Sequence, residues 1–400
     1  MDTINLPRTI NATQMRQVNR SAILELIRQH SPIARSEISR LLKLSMPTAM
    51  RIVDELINDD LVRSTGETAG ATGRPRELLE YNKNGGAVIG IDLGGTKLYG
   101  AAATIGGEIF GEVIKNHHDS SGDKSFELVA EMISSLIALV KEKNIKLLGI
   151  AVGAPGITHV ESGVVEWAPS LNWRDFPLKK KLVERFHLPV VVDNDVNLAV
   201  LGEQWFGAGR GVSNLVLLAI GTGMGAGLVI DGIIYRGHNE SAGEVGYLIP
   251  EPQALRKRYG QFGAMESVIS GLGIAERAKK ILKKTEQGVS MASIDASEVF
   301  TAARDGKEWA KKVVAETVDY LCLTLANIST VLDPELVILS GGVSNSYDLL
   351  ISPILKRLEG VIQHIPRLEV SQLGSKATAM GAISLILHLT KDYYVVRRLY

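Results

Sequence analysis

The chain has 400 residues, 45% of them apolar, with 44 Lys plus Arg balanced by 44 Asp plus Glu. That length carries two to three domains with sizeable cores, and the neutral balance excludes a global electrostatic pull on nucleic acid or membrane, so any such partner is met locally. The single cysteine, Cys322, excludes an internal disulfide framework and a cysteine-cluster metal site. Its setting, Val318-Leu321-Cys322-Leu325-Ala326, reads as a buried helical thiol rather than a nucleophile. Met1–Asn11 lacks a signal-type apolar core and no run approaches the ~18 apolar residues of a membrane span, so the chain reads as soluble and cytoplasmic with no membrane partner.

From Asn19 the spacing of Ile23, Leu26 and Ile27 predicts an amphipathic helix ending at Ser31-Pro32. Arg35–Leu42 predicts a second short helix. A turn at Lys43-Leu44 leads to Ser45 as N-cap and Pro47 in the first turn of a third helix, with Met50, Val53, Leu56 and Ile57 on its inner stripe. Two short helices across a three- to four-residue turn spell a helix-turn-helix. Leu61–Arg63, a Gly/Thr/Ala-rich stretch and Glu77–Tyr81 then predict a hairpin with a long tip, a wing.

Between Arg35 and Arg51, the cations Arg35, Arg40, Lys43 and Arg51 face only Glu37, a local excess of three charges (4 − 1) that suits phosphate contacts. Ser45, Met46, Thr48 and Arg51 at the front of the third helix suit a major groove. Arg74 and Arg76, held extended by Pro75, suit a narrow minor groove. The bland alternative is a small helical interaction module with solvated charges. The segment resembles the winged helix-turn-helix of bacterial transcription regulators, which implies operator DNA as partner.

Beyond Asn82, strands and helices alternate, which predicts an α/β fold with a mixed sheet. Ala87–Ile89 and Ala101–Ala103 flank a glycine turn at Gly94-Gly95, where Thr96 adds a hydroxyl and Asp92 a carboxylate suited to a metal-bound water beside a phosphate. Ser125–Lys143 predicts a helix, Leu147–Val152 a strand entering Gly153-Ala154-Pro155-Gly156, Leu178–Phe186 a helix and Val190–Val192 a strand. Asp193-Asn194-Asp195-Val196-Asn197 then stands at a strand's carboxyl end, where ligands bind in such sheets. Read structurally, Asp195 and Asn197 would cap a helix beginning at Leu198. Leu215–Ile220 leads into a second small-residue turn, Gly221–Gly227, and Leu336–Leu339 ends in Ser340-Gly341-Gly342. Two similar strand-turn-strand units predict two lobes facing across a cleft.

Asp92-Leu93-Gly94-Gly95-Thr96-Lys97, Asn194-Asp195-Val196-Asn197, Gly221-Thr222-Gly223, Gly243-Glu244-Val245-Gly246 and Ser340-Gly341-Gly342 together resemble the ROK family of repressors and sugar kinases. The resemblance covers the chain beyond about residue 84 and, with the winged segment in front, is closest to the regulator branch. It implies a winged helix-turn-helix over 1–82 and a two-lobed, actin-like (ribonuclease H-like) sugar kinase fold, with lobes at 83–200 and 201–400 and a C-terminal helix returning to the first lobe. By the same resemblance Asp195 is the base for the attacking sugar hydroxyl. Gly153, Pro155, Asn172, Asn194, Asp195, Glu244, Tyr247 and Glu266 are implied to hold sugar, with Trp173 beside Asn172. Asp92, Gly94, Gly95, Thr96, Lys97, Gly221, Thr222, Gly223, Gly341 and Gly342 are implied to hold nucleotide.

The sequence departs from the family's zinc motif: Tyr247 replaces its histidine and 251–265 holds no cysteine, so four soft ligands are unavailable and no zinc is expected. Arg256, Lys257 and Arg258 are expected on a solvated surface there. Two functions follow. One is a sugar-responsive regulator, a repressor of carbohydrate-utilisation genes, dimeric or tetrameric, needing no cofactor to bind DNA. The other is an ATP- and magnesium-dependent sugar kinase of hexokinase or glucokinase type with a fused DNA-binding arm, motivated by Asp195 and an intact first glycine turn.

Overall fold

The computed structural model describes residues 12–69, 76–94, 97–116, 122–259, 263–285 and 294–389. The front of the chain folds as three helices and a small sheet. Helix α1 (Ala12–His30) begins before the Asn19 expected from apolar spacing; α2 (Arg35–Leu41) and α3 (Met46–Asn58) follow across the turn. Ser45 Oγ accepts from Thr48 N at 3.3 Å and caps α3. Ile23, Ile27, Ile38, Ile52 and Leu56 are wholly buried between the helices, each stabilising by about 1.5–3 kcal/mol relative to exposure. Strands β1 (Ile33–Ala34), β2 (Val62–Ala69) and β3 (Arg76–Tyr81) form the wing sheet in the order β1-β3-β2. The tip residues 70–75, Arg74 among them, lie outside the described residues.

The first lobe is a five-stranded sheet, β11-β7-β4-β5-β6, built from β4 (Ala87–Leu93), β5 (Lys97–Thr104), β6 (Ile109–Asn116), β7 (Leu147–Ala154) and β11 (Val190–Asn194). Helices α4 (Asp123–Glu142) and α5 (Leu178–Phe186) and a second small sheet, β8 (Ile157–His159), β9 (Val164–Ala168) and β10 (Trp173–Phe176), complete it. Central β4 is almost entirely buried, which explains its unbroken apolar run. Because β4, β7 and β11 run parallel, their carboxyl ends share one edge: Asp92 pairs with Gly153, and Gly153 with Asp193.

Helix α6 (Asp195–Phe206) starts three residues before the Leu198 expected. The cap is neither Asp195 nor Asn197 but Asn194, whose Oδ1 accepts from Val196 N at 2.9 Å and Asn197 N at 3.0 Å. An extended Asn194 satisfies two otherwise unpaired N–H groups at once, and Asp195 becomes the first helical residue. The helix runs unbroken through residue 200, where the sequence placed the lobe boundary.

The second lobe repeats the plan as β14-β13-β12-β15-β16: β12 (Leu215–Ile220), β13 (Met224–Ile230), β14 (Ile233–Ile234), β15 (Leu336–Ser340) and β16 (Arg367–Val370). Of the expected Gly221–Gly227 turn only Gly221–Gly223 turns; Gly225 and Gly227 lie within β13. Helices α7 (Glu266–Ile269), α8 (Gly271–Thr285), α9 (Ala296–Arg304), α10 (Glu308–Leu332) and α11 (Tyr347–Leu358) cover this sheet. Cys322 on α10 is half-buried rather than buried, and partial burial pushes its thiol up to about 11, an unreactive state at neutral pH.

Helix α12 (Ala377–Leu389) packs on α6 and the first-lobe sheet. The two helices cross at glycine: a Cβ on Gly381 would lie 1.7 Å from the Leu198 carbonyl oxygen, so only glycine permits that approach. One continuous core runs from α1 and α3 through Val88 and Tyr99 to Ile383 of α12, which seats the winged domain firmly on the first lobe. Among the described residues no helix is long and apolar enough to cross a membrane.

Candidate functional site

The shared edge of β4, β7 and β11 faces the second lobe, and four carboxyl groups from four segments are gathered there. Asp92 ends β4. Burial pushes its carboxyl up to about 8, with the charge of Asp195 adding to the shift. Asp195 opens α6, where its carboxylate accepts from Val196 N at 2.8 Å. Burial nevertheless lifts it to about 7; the Glu244 charge raises it further and the Val196 N–H opposes both. Glu244 is raised by burial. Glu266, on the first turn of α7, is raised by burial and by Glu244, although Met224 N donates to its Oε2 at 3.3 Å. Among the described residues none of the four has an ion-pair partner.

Such a cluster is a poor anion site but a good polyol site, because carboxyl oxygens accept hydrogen bonds from several hydroxyls at once. Its proximity to neutral also suits Asp195 to receive a proton from one of them. Asn194 is committed as well: its side-chain Nδ2 donates to Gly156 O at 2.9 Å, tying the α6 cap to the loop after β7. Gly153 lies under this cap, since a Cβ there would stand 3.3 Å from Asp195 Cα. Pro155 is half-buried in the same loop. Tyr247 is 56% exposed, yet Glu244 and Glu266 both raise its phenol after burial, which sets it at the rim of the carboxyl group. Asn172 is exposed in the left-handed region (φ 54°). Trp173 is core: it is 1% exposed, its indole N–H donates to Gly122 O at 2.9 Å, and its ring stacks on Phe176 at 4.1 Å.

The residue pair missed by sequence reasoning is Asp193–Arg236. Asp193 is 1% exposed; it accepts from Asn194 N at 2.7 Å and from the guanidinium of Arg236 at 2.5 Å. Arg236 follows β14 of the second lobe, so this ion pair spans the cleft one residue from Asn194. An acid beside Asn194 was the visible half of the signal. Nothing local marks Arg236.

The remaining glycine turns border a second space. Gly221, Thr222 and Gly342 line a cavity of about 470 Å³ with Gly271, Lys279 and Asp295. A Cβ at Gly221 or Gly342 would meet nothing within 4 Å, so the backbone is open to a ligand. Those residues fit a nucleotide. Gly341 instead abuts the second-lobe sheet, where a Cβ would lie 2.4 Å from Ile220 O, and Gly223 faces the Glu266 carboxyl. On the first turn, Gly94 folds back toward Lys97 O, Lys97 is exposed, and Gly95 and Thr96 lie outside the described residues. The surroundings of Tyr247 do not fit a closed zinc site: Ala264 is buried where a thiolate would be needed, and Arg256, Lys257 and Arg258 are exposed.

On the winged domain, Ser45, Met46 and Arg51 project from the front of α3; Met46 is 40% and Met50 43% exposed. Thr48 Oγ1 is engaged with Ser45 Oγ at 2.8 Å. Arg35 bonds Asp54 at 2.6 Å and lies 3.7 Å from Glu77, so it braces α2, α3 and the wing instead of standing free. Arg76 is exposed at the start of β3.

The ROK family profile matches residues 88–388, and a winged helix-turn-helix DNA-binding profile matches residues 18–63. A xylose repressor of Caldicellulosiruptor bescii is 31% identical over 391 residues, covering 94% of this chain and 97% of that protein. A glucokinase of Halalkalibacterium halodurans is 37% identical over 311 residues, covering 73% of this chain and 92% of that protein. Among solved structures, a ROK family transcriptional regulator described as a homologue of the E. coli MLC protein superposes with a TM-score of 0.84 at 25% identity, over 96% of this chain and 99% of that one. A Streptomyces griseus ROK glucokinase in complex with glucose and AMPPNP superposes at 0.66 and 28% identity, over 75% of this chain and 99% of that one.

Proposed function

Because the chain belongs to the ROK family and carries a winged helix-turn-helix in front of it, we propose that it is a sugar-responsive transcriptional repressor of carbohydrate-utilisation genes, acting in the cytoplasm as a dimer or tetramer on operator DNA. The observation that carries this reading is the fusion of an exposed α3 face to a carboxyl-lined cleft through one continuous core. Sugar hydroxyls bridging Asp195 on the first lobe to Glu244 and Glu266 on the second favour one lobe arrangement, and the seated winged domain follows that arrangement; differential affinity of this kind is what coupling requires. Gly153, Pro155, Asn194 and Tyr247 complete the sugar site and Asn172 stands at its margin. Arg51, Ser45, Met46, Thr48 and Arg76 form the DNA face. The related repressors carry xylose in their names, which makes xylose the first effector to try. Mobility-shift titration at fixed salt, with promoter fragments of sugar-utilisation genes, tests the reading: specific binding relieved by one sugar is expected, and specific binding that no sugar alters overturns it.

A second reading, an ATP-dependent sugar kinase, is favoured by one specific observation: the nucleotide-sized cavity at Gly221, Thr222 and Gly342 adjoins the carboxyl cluster through Gly223, which faces Glu266, and Asp195 of that cluster is poised near neutrality. ATP with magnesium supplies the phosphoryl group when bound. Asp195 orients the attacking hydroxyl and takes its proton. ADP release across a sugar panel, compared with Asp195→Asn, decides between the readings.

A further inference from the structure

A sizeable cavity lies outside the cleft. It measures about 830 Å³ and opens where the winged domain meets the first lobe. One wall is α1 and β3, with Arg28 and Tyr81; the other is the β5–β6 turn and the carboxyl end of α6, with Trp205 and Phe206. The walls are held at a fixed separation. Tyr81 Oη donates to Ile105 O at 3.0 Å and the Arg28 guanidinium stands over the Trp205 ring at 5.6 Å, both across the two walls; within the second wall Gly107 (φ 87°) packs so closely that a Cβ would lie 3.1 Å from the Phe206 ring.

The lining has a definite chemistry. Trp205 and Phe206 offer flat, half-buried apolar faces. The acids are already committed: Glu25 accepts from Arg28 at 2.6 Å and 2.8 Å, and Glu80 from Arg63 at 2.7 Å. That leaves Lys83 and Arg210, both exposed at the cavity, as cations without a carboxylate partner among the described residues. A pocket of this volume, with aromatic faces and unneutralised cations, fits a small ligand.

We propose that this junction is a binding site, separate from the sugar cleft, for a small amphipathic anion: a molecule with a flat apolar body and one phosphate or carboxylate group. Its apolar body lies against Trp205 and Phe206 and its charge is met by Lys83 and Arg210. Lys83 sits in the linker from β3 and Arg210 follows α6, so one ligand touching both cross-links linker and lobe and fixes how the winged domain is carried.

The test uses the full-length protein and two probes, 1-naphthyl phosphate and 1-naphthoate, whose arms separate the phosphate source from the carboxylate. Binding is read by calorimetry and by quenching of tryptophan emission, with Trp205→Phe to assign the quench. The expected result is saturable binding of at least one probe, weakened at least about tenfold in Lys83→Ala/Arg210→Ala and unchanged by saturating sugar or by Asp195→Asn. Both cations are exposed, so the double variant is expected to fold as wild type does. No binding of either probe up to about 1 mM, equal affinity in the double variant, or competition with the sugar overturns the proposal. None of these outcomes depends on DNA binding, so this site and the regulator reading fail independently.

Discussion

The winged domain and the cleft are built in opposite ways. The proposed DNA face lies mainly on one continuous stretch, with Ser45 capping α3 and Met46, Thr48 and Arg51 at its front, and Arg76 added from β3. The cleft takes Asp92, Asp195, Glu244 and Glu266 from four segments and two lobes, and depends on parallel strands ending at one edge. A contiguous face tolerates changes elsewhere in the fold, whereas an assembled site is sensitive to every element that sets its register. The pair Asp193–Arg236 is the sharpest instance, because it joins the lobes through a carboxylate that is almost wholly buried.

That contrast is broken first at Asp195. Asp195→Asn removes the proposed base and sugar contact, so any sugar-dependent ADP release is expected to fall by about 10²-fold or more, and the sugar response of DNA binding to disappear while operator affinity in its absence stays within about twofold of wild type. Arg236→Ala comes next: it strands a buried carboxylate, which costs about 3–5 kcal/mol, read as a lower denaturation midpoint, and Arg236→Ala/Asp193→Asn is expected to recover part of the loss. On the contiguous face, Arg51→Ala is expected to weaken operator binding by about 1–3 kcal/mol with the sugar-induced thermal shift intact. Equal damage to both functions by Arg51→Ala would erase the distinction between the two regions.

The cleft also carries a pH signature. Folded Asp92 and Asp195 hold their protons to about 8 and 7 respectively, above ordinary carboxyls, so between about pH 4 and 8 the folded state binds more protons than the unfolded one. Stability from these groups therefore declines as pH rises through that window. Asp92→Asn is expected to stabilise the protein by on the order of 1–3 kcal/mol at pH 8.5 and by little at pH 5, by chemical denaturation. If the kinase reading holds, turnover through Asp195 is expected to run the other way, rising with pH through about 7 as the carboxylate forms. The smallest effect belongs to the winged domain: Ser45→Ala removes the α3 cap and is expected to cost about 1 kcal/mol.

Much of the fold was legible in sequence because it is periodic. The unbroken run of β4 and the span of α5 are local patterns, and they fold locally; the stripe expected on α3 is shifted, because Met50 is 43% exposed and the buried face is Ala49, Ile52, Val53 and Leu56. The misreadings are local-rule failures at the site itself. Counting caps toward Leu198 placed the start of α6 three residues late, because the side-chain Oδ1 of an extended Asn194 accepts from both Val196 N and Asn197 N and the helix therefore begins at Asp195. Asn172-Trp173 looked like one ligand-facing loop, yet the indole turns inward onto Phe176 and leaves Asn172 outside. Arg35 counted as a free cation until Asp54 and Glu77 met it across the helices and wing.

By itself the sequence determined the element types and the winged domain, because these rest on residue type and short-range spacing; Asp195, Glu244 and Glu266 were reached through the resemblance to the ROK family. The tertiary structure decided which of those residues meet. It drew four acids into one poorly solvated edge where their protons are held near neutrality, bridged the lobes with Arg236, and set Lys83 and Arg210 around a junction cavity. Proximity and desolvation between distant segments are properties of packing and strand register, and no local spacing in a chain encodes them directly.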